Sequence, residues 1–233
     1  MKKNKENIFC YVIACIVQTM YYFFRRNKVF VFANGIPGVK MGEGFPILDI
    51  CALVMPGLMM FLIFSNFYSF HMEEYGRLLL VRDCNIRKRI YKLFKNIAIE
   101  ELILILLHIA VNMVFDLNYF IRNLYQIIKG GAIYYLVMLV LLTVEFFVST
   151  WFDDSIVMTN LGLYLFVSVI TVIISDNKVL GILFFPGRIL RLYKINAADG
   201  LIGFFVPSIV TALLFIVVLL ELIIKRCSNK DYF

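Results

Sequence analysis

Six apolar stretches of 17 to 23 residues, each bounded by charge or turn residues, leave this chain few ways to fold. They cover residues 8–24, 46–68, 97–115, 132–150, 157–175 and 203–224. A helix needs about 20 apolar residues to cross ~30 Å of hydrocarbon, so every stretch is of spanning length, the first only just. Lipid offers no hydrogen bonds to a backbone, and a segment that crosses alone must close its bonds internally as a helix. With 62% hydrophobic residues among 233, no room remains for a large soluble domain. The expectation is an all-α integral membrane protein, with residues 1–233 forming one transmembrane domain.

The first stretch also has the length of a signal peptide. No small-residue cleavage site follows it, and Tyr21-Tyr22-Phe23-Phe24 reads as an interfacial aromatic belt, so it is retained as a span. Pro56-Gly57 should kink the second span. The Gly-rich loop between these two is not a phosphate-binding loop: Val39-Lys40-Met41 follows Gly38, where Gly-Lys-Ser/Thr would be needed. The five cysteines follow no metal-ligand spacing and suggest no disulfide framework. A net charge of +7 could serve nucleic acid, but in a membrane protein it reads as basic edges facing anionic lipid.

Residues 72–96 form the longest charged interruption, an elbow between the second and third spans. Arg77, Arg82, Arg87, Lys88, Arg89, Lys92 and Lys95 stand against Glu73, Glu74 and Asp83. Leu78, Leu79, Val81, Ile86, Ile90, Leu93 and Phe94 recur at intervals of three and four, which suits a helix lying on a surface with one apolar face. With both termini inside, the cytoplasmic segments carry 13 Lys and Arg against 10 outside, and the elbow supplies 7 of the 13. Between the fifth and sixth spans, VLGILFFPGRILRLYKI is apolar, broken at Pro186-Gly187, and carries Arg188, Arg191 and Lys194. Two short re-entrant or interfacial helices are expected there.

This arrangement resembles the permease subunit of an ABC exporter of the ABC-2 type. EEYGRLLLVRDCNIRKRIYKLF resembles the acidic-Tyr-Gly element and Arg-rich coupling helix of small Firmicute bacteriocin-immunity and peptide-export permeases, and FFPGRILRLYKI resembles their external re-entrant region. The likeness spans the whole length in architecture and about forty residues by local pattern. It implies export of an amphipathic or peptide-like substrate, a bacterial cytoplasmic membrane location with both termini cytoplasmic, and a second permease, identical or related. No Gly-x-x-x-x-Gly-Lys-Ser/Thr occurs in the chain. ATP and Mg would therefore belong to a separate ABC ATPase, and this chain would be no enzyme and hold no metal or cofactor. Glu73, Glu74, Arg77, Arg82, Arg87 and Arg89 would couple to that ATPase. The plainer reading of these residues is a solvated basic face held near anionic lipid.

Within the spans, Glu101, His108 and Asn112 sit at i, i+7 and i+11 on one helical face, a stripe of about 16 Å. Glu145, in the fourth span, is expected at a similar depth. These groups would line a pathway or subunit interface; interhelical hydrogen bonds and protonated carboxyls account for them equally well. Glu221 is expected to pair with Lys225, four residues on. Three rivals stand beside the permease. A stand-alone immunity or scaffold protein would have no transport cycle, and a secondary transporter would need repeated halves that the chain does not display. An intramembrane enzyme of the CAAX-protease type would need Glu-Glu-x-x-x-Arg, whereas Glu73-Glu74-Tyr75-Gly76-Arg77 is one residue short.

Overall fold

In a computed structural model, residues 2–24, 46–64, 85–174, 178–187 and 202–228 are described, and they are helical apart from short turns. The helices are α1 (Lys2–Phe24), α2 (Ile47–Phe64), α3 (Ile86–Phe115), α4 (Leu117–Arg122), α5 (Leu124–Val148), α6 (Asp154–Ile174), α7 (Lys178–Leu183) and α8 (Ile202–Ser228). Five of them, α1, α2, α3, α5 and α6, are long and apolar enough to cross a membrane. The elbow residues 72–84 lie outside the described residues.

The largest departure from the sequence reading is α3. A boundary was expected near residue 96, where the charged elbow meets the third span, but one unbroken helix of 30 residues runs through it. At 1.5 Å per residue that is a rod of about 45 Å, half again the hydrocarbon thickness. The charge changes at residue 96, whereas the buried stripe does not. Ile90, Leu93, Ile97, Glu101, Leu104, Ile105, His108 and Asn112 form one continuous buried face. No proline or glycine interrupts it. The helix starts where Asn85 caps it, its side chain accepting the Lys88 N–H at 3.0 Å. It ends at Asp116, whose backbone N–H closes the last turn on the Asn112 carbonyl at 3.0 Å. The Asp116 side chain then caps α4 by accepting the Tyr119 N–H at 2.9 Å.

The segment 116–131, which separates the expected third and fourth spans, is helical but for Asp116 and Asn123, and the fourth spanning-length helix begins at Leu124 rather than residue 132. α5 is the centre of the bundle, touching α2, α3, α6 and α8. Every residue from Val137 to Thr143 is buried, the all-round apolar character of a helix surrounded by others. α1 packs on α2 and α3, and α2 also packs on α6.

Pro56 lies inside α2, where its ring removes one donor and displaces the carbonyl a turn before it. Tyr134 of α5 fills the breach. Its hydroxyl donates to the Leu53 carbonyl at 2.9 Å and takes a bond from the Gly57 N–H. One phenol thus bridges the Leu53 carbonyl and the Gly57 N–H, the backbone groups on either side of Pro56. Gly57 lets the helices meet at this level, for a Cβ there would come within 2.8 Å of Leu165 Cδ2 and 3.0 Å of Met138 Cε. Tyr134→Phe is expected to remove this buried bridge and cost about 1–3 kcal/mol, read as a lower melting temperature of the detergent-purified protein.

Candidate functional site

The sequence-predicted stripe is real and faces inward. Glu101, His108 and Asn112 are 1%, 0% and 0% exposed and point toward the α1 and α5 side of α3. The Asn112 amide donates to the Tyr22 hydroxyl, and the Tyr22 ring stacks on Phe115 with centroids 5.3 Å apart. Gln18, one turn earlier on α1, is buried beside the same hydroxyl. His108 donates from Nδ1 to the Leu104 carbonyl at 2.8 Å; a carbonyl only accepts, so this contact sets the tautomer. Glu101 lies within electrostatic reach of Tyr134 and Tyr135, and among the described residues neither of its carboxylate oxygens has a hydrogen-bond partner. Beside the stripe, the Tyr11 hydroxyl donates to the Glu100 carboxylate.

Several members of this seam escaped the sequence reading. Tyr21 and Tyr22 were assigned to an interfacial belt, but only Phe23 and Phe24 are exposed; the two tyrosines are buried. Tyr21 donates to Asp49 at 3.1 Å, joining α1 to α2. Asp49 is 3% exposed inside an otherwise apolar helix. A lone ionisable residue in a spanning segment was the available signal.

Glu145 does not belong to this group. It lies ten residues along α5 from Tyr135, or about 15 Å from the level of Glu101. The expectation of equal depth fails because α3 begins eleven residues earlier than assumed, which moves Glu101 to its middle, while Glu145 stays near the end of α5. Glu145 is buried at the corner between α5 and α6, within reach of Asp154.

At that same end of the bundle, Arg87 Nη2 donates to both oxygens of Glu221 at 2.7 Å, and the Tyr91 hydroxyl donates to one of them at 3.2 Å. The expected Glu221–Lys225 pair is replaced by this contact across 134 residues of chain. The rotamer that reaches Arg87 and Tyr91 gains three donors, where Lys225 would supply one charge on an exposed face. Nearby, the Arg226 guanidinium lies 5.5 Å from the Trp151 ring centroid. Arg89 is half-buried. Glu73, Glu74, Arg77 and Arg82 lie outside the described residues, as do Arg188 and Arg191.

Of the apolar connection, residues 178–187 are described, and they fold back along α6. Tyr164 donates to the Leu183 carbonyl at 2.8 Å, and its ring meets Phe184 and Phe185. Pro186 and Gly187 are buried, with Gly187 against the α6 backbone at Ser168 and Val169. Tyr164 and Ser168 precede the last residue of α6 by ten and six positions, so the segment descends roughly 9–15 Å beside the helix it has just left. Among the described residues no three His, Cys, Asp or Glu side chains converge on a point that could hold a metal ion.

Among the described residues the chain is a helical bundle with five apolar helices of membrane-spanning length, a buried polar seam and a basic helical extension, a makeup compatible with a polytopic membrane protein. Residues 11–233 match the profile of DUF2705, described as a protein of unknown function, and the chain belongs to that family. Comparison with proteins of established function and with solved structures finds no match.

Proposed function

We propose that this protein is the membrane-spanning permease subunit of an ATP-driven exporter that moves an amphipathic or peptide-like substrate. A separate ATPase supplies the work, a second permease, identical or related, completes the pathway, and α8 provides the sixth span. The observation that carries the reading is the continuity of α3. A basic segment that would meet the ATPase runs without a break into a spanning helix whose inner face holds Glu101, His108 and Asn112. A push at its capped end travels along a rigid rod, because no hinge residue lies between Ile86 and Phe115. The fold-back of residues 178–187 beside α6 supports the same reading, since a chain that turns back at that depth is stable only when its backbone is covered by protein.

Orientation follows from the basic end. Lys88, Lys92 and Lys95 are exposed on the α3 extension, and the positive-inside rule places them in the cytoplasm, with both termini on that side. Purification from native membranes tests the assignment. An ATPase that copurifies, and that is lost when Arg82 and Arg89 are reversed in charge, is the expected result. A lone chain that purifies as a stable monomer with no ATPase would overturn it in favour of an immunity or scaffold protein.

A further inference from the structure

Glu221 is the only ionisable residue of α8 between Ile202 and Ile224. Val210, Leu213, Leu214, Phe215, Val217, Val218 and Leu222 around it are exposed apolar groups. A carboxylate in such a row is costly without a partner, and the partner comes from the far side of the sequence. α3 and α8 are in contact, and Arg87 meets Glu221 near the start of the one and the end of the other. Glu221 is thus the one carboxylate that α8 offers to the charged extension of α3.

We infer that Arg87 is the cationic half of an intramolecular latch with Glu221 and Tyr91, which makes the last turns of α8 move with the basic end of α3, and that it is not a contact for another protein. The geometry is specific. A single nitrogen reaches both carboxylate oxygens, and the phenol of Tyr91, one turn along the same face, closes a third bond on Oε1. Among the described residues Arg87 has no ion-pair partner besides Glu221, while Lys88, Lys92 and Lys95 are exposed. In the permease reading, the latch carries motion received at α3 to the last helix. That consequence rests on the proposed function; the latch itself does not.

Charge exchange tests it with two readouts on the full-length protein. Arg87→Glu sets two carboxylates face to face and is expected to speed amide hydrogen exchange over residues 222–228 about fivefold, as is Glu221→Arg. The double variant Arg87→Glu/Glu221→Arg should return exchange to within about twofold of the parent, the coupling expected of a direct ion pair. Copurification of an ATPase, where it occurs, should fall in each single variant and recover in the double. Unchanged exchange in the single variants overturns the latch. Exchange restored without recovery of the ATPase overturns the exclusion of Arg87 from the partner surface. If no ATPase accompanies even the parent protein, the permease proposal fails, and the exchange data alone still decide the latch.

Discussion

Gly187→Ala is expected to be the most damaging single-methyl change in the described part of the protein. A Cβ at that position would run into the backbone carbonyl of Ser168 and sit 3.0 Å from the Val169 nitrogen. Those atoms belong to the body of α6 and cannot rotate aside. Overpacking a core costs about 1–3 kcal/mol when side chains can yield, and a backbone obstacle belongs at or above the top of that range. The variant should lose most of its monodisperse yield in size-exclusion chromatography from mild detergent. Gly131→Ala is the matched control, since its Cβ would meet Ile105 and Ile109 at 3.5 Å, an ordinary contact. Equal yields for the two variants would mean that residues 185–187 do not dock on α6.

Glu101→Met is expected to act in the opposite direction on stability. Glu101 is buried at the heart of the bundle, and among the described residues neither oxygen has a partner, an arrangement that opposes folding. Replacing buried ionisable groups by apolar side chains of similar volume stabilises by about 1–4 kcal/mol where the group is merely structural. A rise of several degrees in the melting temperature is therefore expected. If the seam serves transport, the same variant should lose export while folding better, and Glu101→Gln should lose export with little change in stability. Full export by both variants would assign Glu101 to packing alone and remove the pathway role from the stripe. Glu145→Gln should behave independently of either, because Glu145 sits about 15 Å away, at the α5–α6 corner.

Much of the candidate seam was legible because helical periodicity is a local property. Glu101, His108 and Asn112 share a face by spacing alone, and the structure puts that face inside. Their partners were not legible. Tyr22, Gln18 and Tyr134 carry no sign in the sequence of which helix lies beside them, and an aromatic cluster at the end of a span looks like an interfacial belt until neighbours are known. The register error at Glu145 has the same origin. Hydropathy marks where a helix meets lipid, whereas helix ends are set by caps such as Asn85 and Asp116 and by the buried stripe. Where a helix continues beyond the membrane as α3 does, the two boundaries separate, and every depth counted from the wrong one is wrong.

By itself the sequence determined that this is an apolar chain with helices of membrane-spanning length and a basic segment before the third of them. Those properties follow from side-chain transfer energies and backbone hydrogen bonding, which act residue by residue. Only the tertiary structure decided that the basic segment and the span are one rod and that Tyr134 bridges the α2 ladder at Pro56. It also paired Arg87 with Glu221 and set Gly187 on α6. Each of these depends on which helices are neighbours and at what register. That choice is made by side-chain fit between segments far apart in the chain, and no local pattern records it.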